Sequence, residues 1–106
     1  MNLRNTGKNG AAKAFAEEMT KSGTVEAIRK EEGNLRYEYY LSCDDPETVL
    51  LIDEWADQAA IDRHHTSPMM KKIAELRDKY DLHMTVERYT SDEGGLPDKD
   101  KQFIRK

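Results

Sequence analysis

The sequence predicts an α+β domain of the ferredoxin-like class, in which helices cover one face of an antiparallel sheet. Its segments follow the order strand, helix, strand, strand, helices, strand, which is the βαββαβ pattern. The predicted strands alternate apolar and polar residues, whereas the predicted helices repeat apolar residues every three or four positions. A length of 106 residues fits one compact domain. We place this domain at residues 1–89.

The first part of the chain predicts a strand and then an interrupted helix. Residues 1–5 alternate in polarity and predict a short strand, and turn residues follow at 6–10. Residues 11–32 favour a helix with one apolar stripe. Gly23 weakens that helix by roughly 1 kcal/mol relative to Ala, so we expect a break beside it. Gly33 stands where a left-handed helix cap belongs.

The middle of the chain predicts a β-hairpin. Residues 35–43 alternate in period two, which places four residues on one face of a strand: Leu35, Tyr37, Tyr39 and Leu41. Residues 44–47 supply the turn. Residues 48–55 predict the second strand, and the unbroken apolar run inside it suggests that both faces of this strand are buried.

Two helices and a strand complete the predicted domain. Asp57 is a suitable N-cap for a short helix that ends near His65. Ser67 and Pro68 then predict the N-cap and the first residue of a second helix. Residues 82–89 alternate in polarity and predict the last strand.

The last segment, residues 90–106, differs in composition from the domain. It begins with turn residues and continues as a highly charged stretch, which is typical of a flexible tail. Phe103 and Ile104 are its apolar exception. They suggest the alternative that the tail docks on a partner subunit.

Charge and composition exclude several classes of function. Seventeen Lys and Arg residues against 21 Asp and Glu give a net charge of −4, which argues against nucleic acid or an anionic membrane as a partner. The longest apolar run has four residues and is too short to span a bilayer. Cys43 is the single cysteine, so no intramolecular disulfide can form, and we expect a cytoplasmic location.

The predicted sheet also suggests a partner. Helices on one side leave the other face uncovered, and the predicted strands carry Tyr and aliphatic residues on both faces. An uncovered apolar face is most simply buried against an identical subunit. We therefore expect a homodimer.

The motifs of phosphate binding, zinc binding and nucleophilic catalysis are absent from the sequence. A metal site would need Asp62, His65 and His83 to meet in the folded chain, and nothing in their spacing requires that. Adjacent helical residues point about 100° apart, so His64 and His65 are a poor pair of ligands for one metal. We therefore predict no metal site.

His64 and His65 are nevertheless candidates for a functional site. One of them should face inward, and His64 is favoured because it follows Ala60 by one helical turn. The inward histidine is either a hydrogen-bonded packing residue or the acid and base of a pocket.

Six further residues are candidates for a pocket. Trp55 ends a strand and is either a core aromatic or a flat wall for an aromatic ligand. Asn5 is unusual inside a strand, so its amide lies either near an edge or beside a ligand. The others are expected in strand packing, in the core or in a pocket lining: Tyr37, Tyr39, Met69 and Met84.

Several short motifs then occur in a fixed order: Glu31-Glu32-Gly33-Asn34-Leu35-Arg36-Tyr37-Glu38-Tyr39-Tyr40, Asp44-Asp45-Pro46-Glu47, Ile52-Asp53-Glu54-Trp55, Asp57-Gln58-Ala59 and His64-His65. This set resembles the antibiotic biosynthesis monooxygenase family over residues 24–89. The resemblance implies a dimeric α+β barrel. It also implies oxidation of a quinol or a polycyclic phenol by molecular oxygen without a cofactor, in a dry pocket that supplies a base.

The resemblance implies a role for each candidate. His64 would assist proton transfer, and Asn5 would hydrogen-bond the developing oxyanion. The pocket would be lined by the remaining candidates: Trp55, Tyr37, Tyr39, His65, Met69 and Met84.

Two other functions stay open. One is a dimeric domain that binds a small aromatic ligand without turnover. The other is the binding and breakdown of haem, for which the related proteins combine a strand Asn, a helix Trp and a haem-ligating His. Asn5 matches the first of these residues, but His64 occupies the Trp position and residues 69–74 contain no histidine.

Overall fold

The computed structural model describes residues 1–92 and 94–104. Within them, a four-stranded antiparallel sheet in the order β2-β3-β1-β4 carries helices on one face, which confirms the predicted fold class. The elements are β1 (Asn2–Thr6), α1 (Ala11–Lys21), α2 (Thr24–Arg29), β2 (Asn34–Leu41), β3 (Thr48–Trp55), α3 (Gln58–His65), α4 (Pro68–Lys79), β4 (His83–Glu87) and α5 (Asp98–Lys101).

Strand register divides the sheet into an inner face, towards the helices, and an outer face. On the inner face Leu3 lies opposite Leu51, and Asn5 lies between Val49 of β3 and Met84 of β4. The core forms where this face meets apolar side chains of α1, α2 and α4: Phe15, Met19, Ile28, Ile73 and Leu76.

Two glycines shape the chain around α2. Gly23 has a φ of 81° and separates α1 from α2, so the expected helix break is present. Gly33 has a φ of 84°, and a Cβ there would lie 2.5 Å from the Cβ of Ala60. A glycine is therefore required at residue 33 both by its left-handed backbone and by the close approach of α3.

Three local predictions were wrong in detail. Leu35 is 66% exposed because a bulge between Asn34 and Arg36 interrupts its register, so it does not share the face of Tyr37. The second wrong prediction is that both faces of β3 are buried within one chain. Leu50 and Ile52 are only half-buried, so a single chain covers one face of this strand.

The third wrong prediction is the side-chain cap of α4. Ser67 stands at the N-cap position of this helix, but its side chain makes no capping hydrogen bond. Its hydroxyl donates instead to the carbonyl of His64, at 2.7 Å. The serine thus links the end of α3 to the start of α4.

The outer face is more polar than predicted. Leu50 and Ile52 lie at its centre, with Tyr40 beside them on β2. Charged side chains surround this apolar centre: Arg4, Arg36, Glu38, Glu54 and Glu87. Among the described helices, none is long and apolar enough to cross a membrane.

Candidate functional site

The buried histidine His64 lies in the wall of a cavity of about 220 Å³ between the inner face of the sheet and helices α3 and α4. We call it the main cavity. Apolar side chains make most of its wall, and five residues bring ionisable or hydroxyl groups to it: Tyr37, Asp53, His64, His65 and Arg77. Its apolar residues are Met1, Leu3, Leu51, Met70, Ile73, Met84 and Val86. Met84 and Val86 are partly exposed, so the cavity opens along β4.

His64 is the buried member of the histidine pair, with only 4% of its surface exposed. Two local hydrogen bonds fix the helix that carries it. The carboxylate of Asp57 accepts from the backbone N–H of Ala60 at 2.8 Å, as the sequence predicts for an N-cap. At the other end, the Ser67 hydroxyl donates to the His64 carbonyl. His65 is exposed but also reaches the cavity wall.

Glu31 orients the His64 ring. The Nδ1 atom of His64 lies 2.8 Å from Oε2 of Glu31, which comes from the turn after α2. An ionised carboxylate only accepts hydrogen bonds, so Nδ1 carries the proton and Nε2 keeps the basic lone pair. No described residue hydrogen-bonds Nε2. The pair therefore presents a base of fixed tautomer at the cavity.

Trp55 stacks on His64 without lining the main cavity. The two ring centroids are 4.6 Å apart with an interplanar angle of 29°. Trp55 lines an adjoining second cavity of about 350 Å³, which also includes Arg88 and Tyr89. The indole N–H of Trp55 is buried and has no hydrogen-bond partner among residues 1–92 and 94–104. This stacking restricts rotation of the imidazole ring.

Asp53 lies in the wall shared by the main and second cavities. It is 3% exposed, and no described residue donates a hydrogen bond to its Oδ1. Burial raises the pKa of the Asp53 carboxyl, and the N-terminal ammonium, 3.5 Å away, offsets part of this effect. The carboxyl group is thus prepared to hold a proton more readily than an exposed aspartate.

Tyr37 and Arg77 supply hydrogen-bond donors to the cavity. Burial raises the pKa of Tyr37 to about 12, so the phenol stays protonated at neutral pH. Its hydroxyl lies 3.2 Å from that of Tyr39. Burial also raises the pKa of Tyr39. Arg77, on α4, has a buried Nε without a partner and forms no ion pair with a described carboxylate. Such a guanidinium is available to an anionic oxygen of a ligand.

The cavity brings together four of the eight predicted site residues, namely Tyr37, His64, His65 and Met84. Tyr39 lies on another groove beside α1, and Trp55 lines the second cavity. Met70 reaches the main cavity instead of Met69, which packs against the core.

Asn5 does not line the main cavity, although Met84, directly opposite on β4, does. The Asn5 side chain is 1% exposed, and its Oδ1 has no hydrogen-bond partner in the part of the chain that the structure describes. It lies on the inner face, away from the edge of the sheet, because β1 is a central strand. Of the two placements that the sequence leaves open, the edge is therefore wrong.

Sequence reasoning missed Glu31, Asp53 and Arg77. Asp53 had a usable signal, because period two places it on the same face as the buried Val49 and Leu51. Arg77 had a weaker signal, because it follows the inward-facing Ile73 by four residues and therefore lies near the same face of the helix. Glu31 lies in a turn without periodicity, so its approach to His64 could not be read from spacing.

The metal alternative finds no support in the geometry. Across residues 1–92 and 94–104, no group of three or more His, Cys, Asp or Glu side chains is arranged to hold an ion. Asp62, His65 and His83 therefore do not form the cluster that the sequence left open. His83 is exposed and has Asp81 as its ionic neighbour at 3.8 Å.

Comparisons with known proteins agree on family and fold. Residues 1–76 match the family model described as antibiotic biosynthesis monooxygenase. No curated protein matches the chain significantly. A solved structure from Deinococcus radiodurans, provisionally named an antibiotic biosynthesis monooxygenase, is 17% identical with a TM-score of 0.65, over 88% of this chain and 97% of that one.

Two further structures have the same fold. A conserved Bacteroides thetaiotaomicron protein of unknown function, described as a candidate oxidoreductase, is 14% identical with a TM-score of 0.71, over 81% of this chain and 88% of that one. A Pseudomonas aeruginosa protein is 22% identical with a TM-score of 0.61, over 84% of this chain and 93% of that one. At these identities the likeness establishes the fold.

Proposed function

Because the chain belongs to the antibiotic biosynthesis monooxygenase family, we propose that it oxidises a quinol or related phenol with molecular oxygen and without a cofactor. The observation that carries this proposal is the hydrogen bond between His64 Nδ1 and Glu31 at the wall of an apolar cavity. It supplies a base whose lone pair is directed away from its carboxylate partner, which is the group that such a reaction requires.

The chemistry starts with removal of a phenolic proton. Triplet oxygen reacts slowly with closed-shell molecules, but a phenolate is electron-rich enough to give an electron to oxygen. In our proposal His64 Nε2 accepts the proton, and the imidazolium is stabilised by Glu31. The apolar wall excludes water and thereby strengthens the interactions with the anion.

Arg77 and Tyr37 would then stabilise the negative charge that develops on the substrate oxygen. Both are donors at the cavity wall, and the Arg77 guanidinium forms no ion pair with a described carboxylate. Preorganised donors of this kind favour the phenolate without reorganising during the reaction. Asn5 would contribute through its buried amide, beside the wall residue Met84.

Cavity size narrows the substrate class. A volume of about 220 Å³ is below the range of roughly 300–1,000 Å³ that holds drug-sized ligands. The volume favours a substrate with one ring or two fused rings over a polycyclic phenol. Entry along β4, beside the partly exposed Met84 and Val86, leaves room for a short substituent outside the cavity.

The proposal is tested by oxygen uptake. Chelator-treated protein is mixed with benzohydroquinones and naphthohydroquinones in an oxygen electrode, with boiled protein as the control for autoxidation. We expect uptake that depends on the protein, and a fall on the order of 100-fold in His64→Gln, because the base is removed while the ring volume is largely kept. His83→Gln is the matched control, since His83 is an exposed histidine on the outer face.

Two results would contradict the proposal. Uptake no faster than in the boiled control across the panel would exclude turnover of these quinols. Saturable binding of a quinol in the same samples would then favour the alternative of a binding domain without catalysis. Equal losses in His64→Gln and His83→Gln would show that His64 is not the base.

We also propose a homodimer that buries the outer face. Leu50, Ile52 and Tyr40 form its apolar centre, within a rim that carries both signs of charge. An isologous pairing sets such a rim against its own copy. Light scattering at micromolar concentration should give twice the chain mass, and Ile52→Lys should shift the mass towards the monomer. A monomeric wild type would contradict this.

A further inference from the structure

Among the described residues, Asp53 is the one carboxylate of the main cavity wall, and the first deprotonation does not use it. We infer that Asp53 is a second catalytic residue, which removes the proton from the ring carbon after oxygen has been added there. This inference rests on the proposed function and adds the acceptor for its later step.

The strand places Asp53 in the cavity for a definite reason. It follows Val49 and Leu51 in period two on the inner face, where it lies opposite Tyr37 of β2. A carboxylate at such a position is costly to bury unless it is paired. Here Oδ1 has the N-terminal ammonium as an ionic neighbour at 3.5 Å, but no described residue, the Trp55 indole included, donates a hydrogen bond to it. A buried acceptor at a cavity wall that lacks a hydrogen bond is better explained by a ligand than by packing.

Asp53 and His64 approach the same space from different elements. Both line the main cavity, one from β3 and the other from α3. Tyr37 lies between them, paired with Asp53 in the sheet and with its ring centroid 6.4 Å from that of His64. A substrate in the cavity would therefore meet two separate proton acceptors.

The reaction needs both acceptors. In the first stage the phenolic O–H bond breaks and His64 takes the proton. One electron passes from the phenolate to oxygen, and the two radicals combine to form a bond between a ring carbon and oxygen. His64 returns its proton to the outer oxygen, which gives a ring hydroperoxide. His64 is then neutral again, and the ring carbon still carries its hydrogen.

The second stage is the step assigned to Asp53. Its carboxylate takes the ring C–H proton, the electron pair of that bond forms a C=O bond, and the O–O bond breaks. The departing hydroxide takes the proton from Asp53 and leaves as water. One hydroquinone and one oxygen molecule thus give one hydroxyquinone and one water, with the quinol as the reductant.

If no group accepts the C–H proton, the hydroperoxide can break down by a competing reaction. The remaining ring hydroxyl loses its proton and becomes a carbonyl, and the bond between the ring carbon and the hydroperoxide breaks. Hydrogen peroxide departs, and the unhydroxylated quinone remains. One hydroquinone and one oxygen then give one quinone and one hydrogen peroxide. The ratio of hydroxyquinone to hydrogen peroxide therefore reports on Asp53, whereas total oxygen uptake reports on His64.

The test is the product ratio of Asp53→Asn with 1,4-naphthohydroquinone. We expect the ratio of hydroxyquinone to peroxide to fall on the order of 100-fold, the size typical of a lost general base. Glu54→Gln is the matched control, because Glu54 is the adjacent carboxylate and points to the outer face. Its ratio should equal that of the wild type.

A second variant separates catalysis from packing. In Asp53→Ala, added formate should restore hydroxyquinone by supplying a carboxylate to the vacated space, which a purely structural loss would not allow. A wild-type product ratio in Asp53→Asn, or no rescue of Asp53→Ala by formate, would overturn the inference. Loss of folding in both variants would assign Asp53 to stability and would overturn it as well.

The same experiment distinguishes the two proposals. If the wild type consumes no oxygen with any quinol, the proposed function fails and the role of Asp53 fails with it. If the wild type consumes oxygen and His64→Gln does not, but Asp53→Asn keeps the wild-type product ratio, only the inference about Asp53 fails.

Discussion

Two regions behind the same sheet are built on opposite principles. The closed core, defined by Phe15, Met19, Ile28 and Val49, is apolar and fully shielded from solvent. The polar cluster is defined by four side chains, each of which buries a polar atom that no described residue hydrogen-bonds: Asn5, Asp53, Trp55 and Arg77. Three of the four line the main or second cavity, and Asn5 lies one residue pair away from the wall.

The difference between these regions separates stability from function. An unsatisfied buried polar atom costs about 1–3 kcal/mol, so the polar cluster weakens the fold that the closed core stabilises. Proteins tolerate such groups where a ligand completes their hydrogen bonds. The comparison predicts that changes in the closed core damage the fold, whereas changes in the polar cluster damage activity first.

The largest expected effect is in the closed core. Phe15→Ala removes a fully buried ring that contacts Tyr39 edge to face at 5.9 Å. We expect the free energy of unfolding to fall by about 3–5 kcal/mol, from lost burial and the cavity left behind. Urea denaturation measures this. A loss below about 1 kcal/mol would mean that the closed core is not the main source of stability.

A smaller effect of opposite sign is expected at Asn5. Asn5→Val removes the unsatisfied amide and places a β-branched side chain in a strand, so the free energy of unfolding should rise by about 1 kcal/mol. Oxygen uptake should fall by about tenfold or more, because the contribution that we propose for the Asn5 amide in stabilising the oxyanion is lost. Thermal unfolding and the oxygen electrode measure the two quantities. Lower stability together with normal uptake would show that the amide serves packing.

The smallest expected effect is the pH dependence of stability at Asp53. The folded state raises the pKa of this carboxyl through burial, so the folded state binds the proton more tightly than the unfolded state. Its contribution to stability is therefore present below the unfolded pKa of about 3.9 and is lost as the pH rises through the folded pKa.

Asp53→Asn should remove this dependence. We expect the variant to unfold at a higher temperature than wild type at pH 7, with the difference shrinking as the pH is lowered towards 4. Glu54→Gln is again the control, because Glu54 is exposed. A variant that is less stable than wild type at pH 7 would indicate that the ionised carboxylate stabilises the fold, through the N-terminal ammonium 3.5 Å away.

Much of the fold followed from local rules. Period-two and helical patterns located β1 to β4 and α1 to α4 within a few residues, and Gly23, Gly33 and Asp57 marked breaks and caps that the structure contains. Leu35 was misplaced because a bulge depends on pairing with β3 and has no signature in a single strand. The hydroxyl of Ser67 was misassigned because the His64 carbonyl competes for it.

The candidate site was predictable only in part. His64 could be identified as inward-facing from helical spacing, and Tyr37 and Met84 from strand alternation. Its partner Glu31 is 33 residues away in the chain, and Arg77 comes from a helix whose rotation about its axis is set by packing. These contacts depend on how α2, α3 and α4 pack against the sheet.

The sequence by itself determined the order of elements, the fold class and the face of strand residues outside the bulge at Leu35, because all three depend on local periodicity. Only the tertiary structure decided which side chains share a cavity, that Glu31 orients His64, and that Oδ1 of Asp53 receives no hydrogen bond from a described residue. The physical reason is that a catalytic arrangement is a set of distances between elements far apart in the chain. Those distances are set by packing of the whole core, which no local pattern encodes.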